Sequence, residues 1–274
     1  MNHDDTASHT AFERALALQP AGEGRYDVAL DPVWRQGPGV VGGIQSALLL
    51  HAMTTEVADL TRRPRNLTVH FLSPARPGAA WCEVEIVRTG RSFTHVAARL
   101  LGASGVIATA MATFATARSD ARGAGQPAPP QAPSWEALAT STHGDPAPVF
   151  TKLCTFKDCV GAPVYSEAAE AWLGGWGRLT QPEALSPAYF AFLADAWPPA
   201  MLACYAKMTP VASVALTLQF HAGAGGHGLP AGTPVLYEAR ATAMTEGYSE
   251  EHAHMWAPDG RLLATALQQV VVFG

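Results

Sequence analysis

Two stretches of this chain carry the same order of hydrophobic and polar positions. In the first, apolar residues recur at helical spacing over residues 44–60, which predicts one long, mostly buried helix. The pattern then changes to alternation, with Leu67, Val69 and Phe71 on one face, as expected for a strand with one buried side. Strands are also predicted at 16–19 and 25–30 before the helix, and at 80–88, 92–101 and 105–116 after it.

The second half follows the same order. A helix is predicted over residues 187–205, and the alternating segment 215–220 restates the one at 65–71. The predicted strands of this half are 149–156, 167–179, 211–221, 234–244, 248–257 and 261–272. The tripeptide Ala-Thr-Ala occurs near the end of each copy, at 108–110 and 264–266. Self-similarity of this kind indicates a duplicated unit.

The predicted fold class is α+β, with two fused copies of a curved antiparallel sheet wrapped around a long helix. A helix that buries apolar surface on all sides needs such a sheet around it. The predicted domains are residues 1–117 and 149–274. Between them, residues 118–148 are rich in Ala, Pro and Gly and have the composition of a linker.

Composition and charge exclude several classes of partner. The chain has 274 residues, of which 48% are hydrophobic, and its formal net charge of -5 is not accompanied by a basic stripe that could bind nucleic acid. The four cysteines show no paired spacing and the first ten residues are unlike an export signal, so we expect reduced thiols and a cytoplasmic protein. The uncharged stretch 100–117 contains a Gly-Ala-Ser-Gly turn, which favours two strands over a membrane span.

Several short motifs then occur in an order that one family shares. They are Gly42-Gly43, 67–74 (LTVHFLSP) and 88–92 (RTGRS) in the first half, and Trp176 with Arg178, 193–196 (LADA), 216–221 (LTLQFH) and 259–264 (DGRLLA) followed by Gln268 in the second. Together they resemble the acyl-CoA thioesterases of the thioesterase II family. The resemblance covers nearly the whole chain. It implies a double hotdog fold and hydrolysis of an acyl-CoA to free acid and CoA.

The resemblance also implies how the reaction proceeds. Members of this family activate a water with an Asp, a Thr or Ser, and a Gln from the second hotdog, and these roles fall on Asp195 in the second helix, Ser213 and Gln268. Thr217 is the alternative for the hydroxyl, and we expect it on the same face as Ser213 because a strand has a period of two. A thioester is already activated, so a base, a held water and donors for the oxyanion suffice.

Each candidate has a second interpretation. Asp195 lies in an apolar segment, where a carboxylate is costly unless it is bonded or used, but it could also cap a helix restart after Pro198-Pro199. Gln268 could face solvent; its counterpart in the first copy is Ala112, which favours one active site per chain, in the second half. Ser213 could be a small polar filler.

Four residues are predicted to bind substrate. Gly42 and Gly43 precede the first helix, whose free amide groups could meet the oxyanion. Arg91 and Ser92 follow Gly90 and could lie near the pantetheine or phosphates of CoA, although an ordinary turn is the alternative.

The sequence gives less support for other kinds of site. His252 and His254 lie on one strand, which offers too few metal ligands, so we expect a solvated hairpin at 250–254. His51 is expected to be a core histidine. No Gly-x-Ser-x-Gly motif is present, which disfavours an α/β-type serine hydrolase.

The sequence therefore predicts a thioester hydrolase that needs no cofactor and no metal. Its partner is an acyl-CoA or other acyl thioester, without nucleic acid or membrane, and it acts as a monomer or as a homodimer of double-hotdog units. Two alternatives stay open. One is an acyl-thioester-binding protein without turnover, and the other is a hotdog hydratase or dehydratase, which would need a His-Asp pair near a helix start.

Overall fold

The structure is a computed structural model that describes residues 9–118, 123, 125–142, 147–221, 224 and 228–273. Its helices are α1 (Ala11–Ala15), α2 (Gly42–Val57) and α3 (Pro187–Leu193). The strands of the first half are β1 (Gln19–Gly22), β2 (Arg25–Leu30), β3 (Arg35–Gln36), β4 (Gly39–Val40), β5 (Arg63–Phe71), β6 (Gly78–Thr89), β7 (Phe93–Gly102) and β8 (Gly105–Ala115). Those of the second half are β9 (Cys154–Gly161), β10 (Trp172–Leu179), β11 (Val211–Phe220), β12 (Val235–Thr245), β13 (Tyr248–Trp256) and β14 (Leu262–Val272).

Twelve of the described strands form one antiparallel sheet. Its order is β1-β2-β6-β7-β8-β5-β11-β14-β13-β12-β10-β9, while β3 and β4 form a separate pair. From the central strands β5 and β11 outward, both sides of the sheet follow the same chain order. At this junction Thr68 lies opposite Thr217, and their hydroxyl oxygens are 3.1 Å apart. The repeat seen in the sequence is therefore present as a repeat of strand order.

Helix α2 confirms the prediction of one long, buried helix. Nearly every residue from Gly43 to Met53 is buried, because the sheet covers one side of the helix and α3 lies against the other. The helix begins two residues before the predicted start and ends at Val57, where Ala58 takes a left-handed conformation with φ 49°. No helix in the described part of the chain is both long and apolar enough to span a membrane.

Helix α3 is much shorter than the predicted 187–205. It begins at Pro187, with the Ser186 hydroxyl accepting the N–H of Tyr189, and ends at Leu193. Pro198 and Pro199 lack amide hydrogens and disfavour helical backbone before them. A separate 3-10 helix follows at Ala200–Cys204. Asp195 therefore lies in the turn after α3, not within a helix as predicted.

Helix α1 was not predicted, although the sequence carries its start signal. Thr10 and Glu13 form a capping box, in which each side chain accepts the backbone N–H of the other. The helix places Phe12 among three aromatic side chains from both halves of the chain, namely Trp34, Tyr189 and Phe192. The predicted strand at 16–19 is reached only at Gln19. The strands predicted to begin at 149 and 167 begin later, at Cys154 and Trp172.

The described part of the segment between the halves lies on the outer face of the second half of the sheet. Tryptophan rings of β10 and β13 hold it, since Trp176 Nε1 donates to the carbonyl of Pro133 at 2.8 Å and Trp256 Nε1 to that of Pro127 at 3.2 Å. Lys157 Nζ donates to the carbonyl of Trp135 at 2.7 Å. Residues 125–138 are thus attached to the sheet, although the segment has the composition of a linker.

Candidate active site

Asp195, Ser213 and Gln268 meet in one buried cluster. Ser213 Oγ donates to Asp195 Oδ1 at 2.9 Å, and Gln268 Nε2 lies 2.6 Å from both Asp195 Oδ1 and Ser213 Oγ. Asp195 is 7% exposed and Gln268 6% exposed. The glutamine is therefore not a solvent-facing residue, and the serine is not an isolated filler.

A β-bulge brings Ser213 to this cluster. In the pairing of β11 with β14, Ser213 lies opposite Val270 and Ala215 opposite Gln269, so the strand contains one extra residue between them. The extra residue reverses the alternation of faces. Ser213 thus reaches the inner face with Leu216, while Thr217 lies on the other face beside Thr68. The expectation that Ser213 and Thr217 share a face was wrong, because it assumed an unbroken period of two.

The first half of the chain completes the site through the start of α2. Gly42 is so close to the carboxylate that a Cβ on it would lie 2.7 Å from Asp195 Oδ2 and 2.9 Å from the ring of Phe71. The backbone N–H of Gly43 donates to the Asp195 carboxylate. A Cβ on Gly43 would clash with the carbonyl oxygen of Phe192 in α3. Glycine is required at both positions because the neighbouring atoms leave no room for a Cβ. The resulting close packing of α2 against α3 brings the Gly43 amide and the Asp195 carboxylate together.

The environment of Asp195 shifts its acidity. Burial raises the pKa of Asp195 to about 6, although hydrogen bonds from Ser213, Gln268 and the amide of Gly43 favour the ionised form and partly offset that rise. The first turn of α2 also carries partial positive charge. The result is a carboxylate that is mostly ionised at neutral pH and basic enough to accept a proton from water.

The structure does not bring Arg91 and Ser92 to this cluster. They form the turn between β6 and β7, where Arg62 Nη2 donates to the carbonyl oxygen of Gly90 at 3.0 Å. Arg62 follows the C-terminal end of α2, whereas Gly42 and Gly43 are at the N-terminal end. An α-helix rises about 1.5 Å per residue, so the length of α2 separates the two places. The contact of Arg91 and Ser92 with CoA stays a prediction.

The structure places the three histidines considered from the sequence in different surroundings. His51 is only partly buried and lines a cavity of about 710 Å³ at the C-terminal end of α2, so it is not simply a core histidine. His252 is exposed and lies 2.8 Å from Glu250, while His254 stacks on Trp256. Among the residues that the structure describes, no group of His, Cys, Asp and Glu side chains could hold a metal ion.

One buried carboxylate beside the cluster was missed from sequence. Glu251 belongs to the hairpin expected to be solvated, and its neighbours Glu250 and His252 are indeed exposed, but Glu251 is 1% exposed. The alternation along β13 carries the signal, because Ser249, Glu251 and Ala253 form its buried face. Because the charged and polar residues Glu250 and His252 flank Glu251, the whole segment was expected to be exposed.

Comparison with known proteins identifies the family. A family model described as the C-terminal domain of acyl-CoA thioesterases matches residues 121–272. The chain belongs to the acyl-CoA thioesterase family. The model of the N-terminal domain of the same family matches residues 30–115. No curated protein sequence matches significantly.

Solved structures support the same fold. A protein of unknown function with a hot dog fold from Alicyclobacillus acidocaldarius is 26% identical, with a TM-score of 0.89 over 97% of this chain and 99% of that one. The tesB protein of Mycobacterium avium subsp. paratuberculosis has 19% identity and a TM-score of 0.78, covering 96% of this chain and 98% of that one. The acyl-CoA thioesterase II TesB2 of Mycobacterium marinum has 20% identity and a TM-score of 0.76, again over 96% and 98%. The chain therefore shares the hotdog fold of the Alicyclobacillus protein, and the two mycobacterial proteins have the same overall fold.

Proposed function

We propose that this protein hydrolyses an acyl-CoA to the free acid and CoA at the cluster of Asp195, Ser213 and Gln268. The observation that carries the proposal is the closed set of hydrogen bonds among these three side chains, with distances of 2.6 to 2.9 Å, beside the start of α2. Membership of the acyl-CoA thioesterase family supports the substrate class. The reaction requires no metal and no cofactor, because a carboxylate base, a held water and an amide donor suffice for an activated thioester.

Asp195 acts as the general base. Its Oδ1 already accepts hydrogen bonds from Ser213 and Gln268, which hold the carboxylate in one orientation. Its Oδ2 faces the start of α2, and we assign the attacking water to this oxygen. The water transfers a proton to Asp195 as its oxygen bonds to the acyl carbon. General-base assistance of this kind contributes roughly 10²- to 10⁴-fold to a rate.

The start of α2 stabilises the charge that develops on the carbonyl oxygen. Val41 occupies the N-cap position and its side chain makes no capping hydrogen bond. The Gly43 amide already donates to Asp195 and the amides of Ile44 and Gln45 to the Val41 carbonyl, so we assign the oxyanion to the Gly42 amide in the first turn. Amides at a helix start favour an anion. When the intermediate collapses, the carbon–sulfur bond breaks, and the CoA thiolate takes the proton held by Asp195. The carboxylate is thereby regenerated.

We infer also that the chain is a double hotdog. The matching strand order on the two sides of β5 and β11 supports this inference, as do the two family models that divide the chain between them. Only the second half supplies Asp195, Ser213 and Gln268. The first half has Ala112 on β8, the strand equivalent to β14. One active site per chain follows, with the first half contributing the start of α2.

The test is the release of free thiol from short-, medium- and long-chain acyl-CoAs. We expect wild-type turnover, a loss of roughly 10²- to 10⁴-fold in kcat/KM for Asp195→Asn, and a loss of about 10- to 100-fold for Ser213→Ala. Thr217→Val is the matched control, because it removes a hydroxyl from the same strand on the opposite face. It should keep kcat/KM within about twofold of the wild-type value.

The other outcomes point elsewhere. Binding of acyl-CoA without release of thiol at any chain length would favour the non-hydrolytic binding protein. Full activity in Asp195→Asn would place the base at another residue. Loss of activity in Thr217→Val but not in Ser213→Ala would reverse the assignment of the hydroxyl. Hydration of an enoyl-CoA with the thioester intact would indicate a hydratase.

A further inference from the structure

A second carboxylate is buried directly beside the candidate active site. Glu251 on β13 lies opposite Gln268 on β14 in the antiparallel register. Residues in such a pair point to the same face of the sheet. Since the Gln268 amide donates to Asp195, the Glu251 side chain shares the interior with this cluster. Nothing in the proposed reaction uses it.

Glu251 also holds the Asp195 loop, residues 194–199, which joins α3 to the following 3-10 helix. Its Oε2 accepts the backbone N–H of Ala200, the first residue of the 3-10 helix after the turn. Pro198 and Pro199 have no amide hydrogen, so Ala200 supplies the first amide after Trp197 that can tie this loop to the sheet. The other end of the loop is held by the hydrogen bonds of Asp195 itself. Glu251 therefore connects the Asp195 loop to the strand next to Gln268.

We propose that Glu251 is a positioning residue, which fixes the Asp195 loop against β13 and must stay uncharged for the site to work. This inference rests on the proposed function. It assigns to the fold a second carboxylic acid that does not touch substrate. Its role is to set the position of Asp195 and the number of charges in the interior.

Electrostatics explains why the charge matters. Burial, and to a lesser extent the neighbouring Asp195, raises the pKa of Glu251 to about 8, although the hydrogen bond from Ala200 opposes this rise. Asp195, with its lower pKa, ionises first. Between about pH 6 and pH 8 the site therefore holds one negative charge, on Asp195. A second charge on Glu251 would repel the oxyanion in a medium of low dielectric constant.

The groups that face Glu251 come from each neighbouring element. Asp195 comes from the turn after α3, and Tyr237 from β12; burial and the charges of Glu251 and Asp195 raise the pKa of this tyrosine well above its usual value. Gln268 from β14 does not titrate, and Ala200 contributes only its amide. Asp195 is therefore the partner that controls the charge on Glu251 below alkaline pH.

The experiment measures kcat/KM as a function of pH, using the loss of thioester absorbance as the signal. The four proteins compared are the wild type, Glu251→Gln, Glu250→Gln and Glu251→Leu. In the wild type we expect activity to rise near pH 6 and to fall near pH 8. Glu251→Gln keeps an oxygen for the amide of Ala200 but cannot ionise, so it should retain kcat/KM within about twofold at neutral pH and lose the fall near pH 8. Glu250→Gln is the matched control, since Glu250 is exposed on the opposite face, and its profile should equal that of the wild type.

Glu251→Leu separates the anchoring role from the charge. It leaves the amide of Ala200 without its acceptor, so the Asp195 loop should shift. Displacement of a catalytic group by about 1 Å can cost on the order of 10²-fold in rate, and we expect a loss of this size in kcat with little change in KM. A fall near pH 8 that persists in Glu251→Gln would overturn the proposal, whether or not Glu251→Leu folds.

An infrared measurement distinguishes failure of this inference from failure of the proposed function. A protonated carboxyl band in wild-type difference spectra between neutral and alkaline pH, absent in Glu251→Gln, supports an uncharged Glu251 even in a protein without turnover. If the wild type hydrolyses acyl-CoA but shows no such band, the proposed function stands and the inference about Glu251 is wrong.

Discussion

Gly42 and Asp195 are in direct contact, although they belong to different halves of the chain. A Cβ on Gly42 would lie 2.7 Å from Asp195 Oδ2, which is closer than two such atoms can approach without displacement. The contact exists because α2 starts where α3 ends, so the start of one helix meets the turn after the other. The placement of the base of the proposed reaction beside the Gly42 amide that would hold the oxyanion therefore depends on how the two halves meet.

Gly42→Ala tests this contact. The added methyl group has to displace either the Asp195 carboxylate or the ring of Phe71, so we expect kcat/KM to fall by about 10- to 100-fold. Gly90→Ala is the control. A Cβ at Gly90 meets its nearest neighbour, the carbonyl oxygen of Phe93, at 3.6 Å, an ordinary contact. Equal kinetics for both variants would show that the space at Gly42 is not needed.

The acidity of Asp195 predicts the acid limb of the pH profile. The base must be ionised, and its pKa is raised to about 6, so kcat/KM should increase tenfold per pH unit below this value and level off above it. Gln268→Met removes a donor that favours the ionised form, and it should move the limb to higher pH. The profile is measured from about pH 4.5 to 7.5. A limb near the ordinary aspartate pKa would mean that Asp195 is not the base.

Asp195 should also destabilise the fold at neutral pH. Its pKa in the folded protein, about 6, is higher than the value of 3.8 expected in the unfolded chain. The folded state therefore binds the proton more tightly, and stability is lost as the pH rises from about 4 to 6. Asp195→Asn should raise the free energy of unfolding at pH 7 by about 1 to 3 kcal/mol, with little gain at pH 4.

Urea unfolding at both pH values measures this difference. Asp259→Asn is the control, because Asp259 is exposed and hydrogen bonds from Arg261 lower its pKa. It should give no gain in stability at either pH. A gain for Asp195→Asn that is the same at pH 4 and pH 7 would have a cause other than the buried charge.

Much of the fold was accessible from local patterns. Alternation in β5, β6, β7, β8 and β11 placed the strands within a few residues, because each strand buries one face against the helices. Failures occurred where tertiary contacts or backbone chemistry override periodicity. The second helix was predicted to extend to residue 205 because apolar residues continue to that point, but Pro198 and Pro199 interrupt the helix. The ten residues of β11 contain a bulge that no count along the sequence reveals.

The repeat, the family resemblance and the three residues of the candidate site could all be derived from the amino-acid sequence, since composition and order along the chain are enough for these. How the three residues meet depends on the folded chain. It set Ser213 rather than Thr217 beside Asp195 through one extra residue in a strand, and it joined the site to Gly42 and Gly43 through the close approach of α2 and α3. It also buried Glu251 opposite Gln268. These relationships depend on register and distance between segments far apart in the chain, which hydrophobic periodicity does not encode.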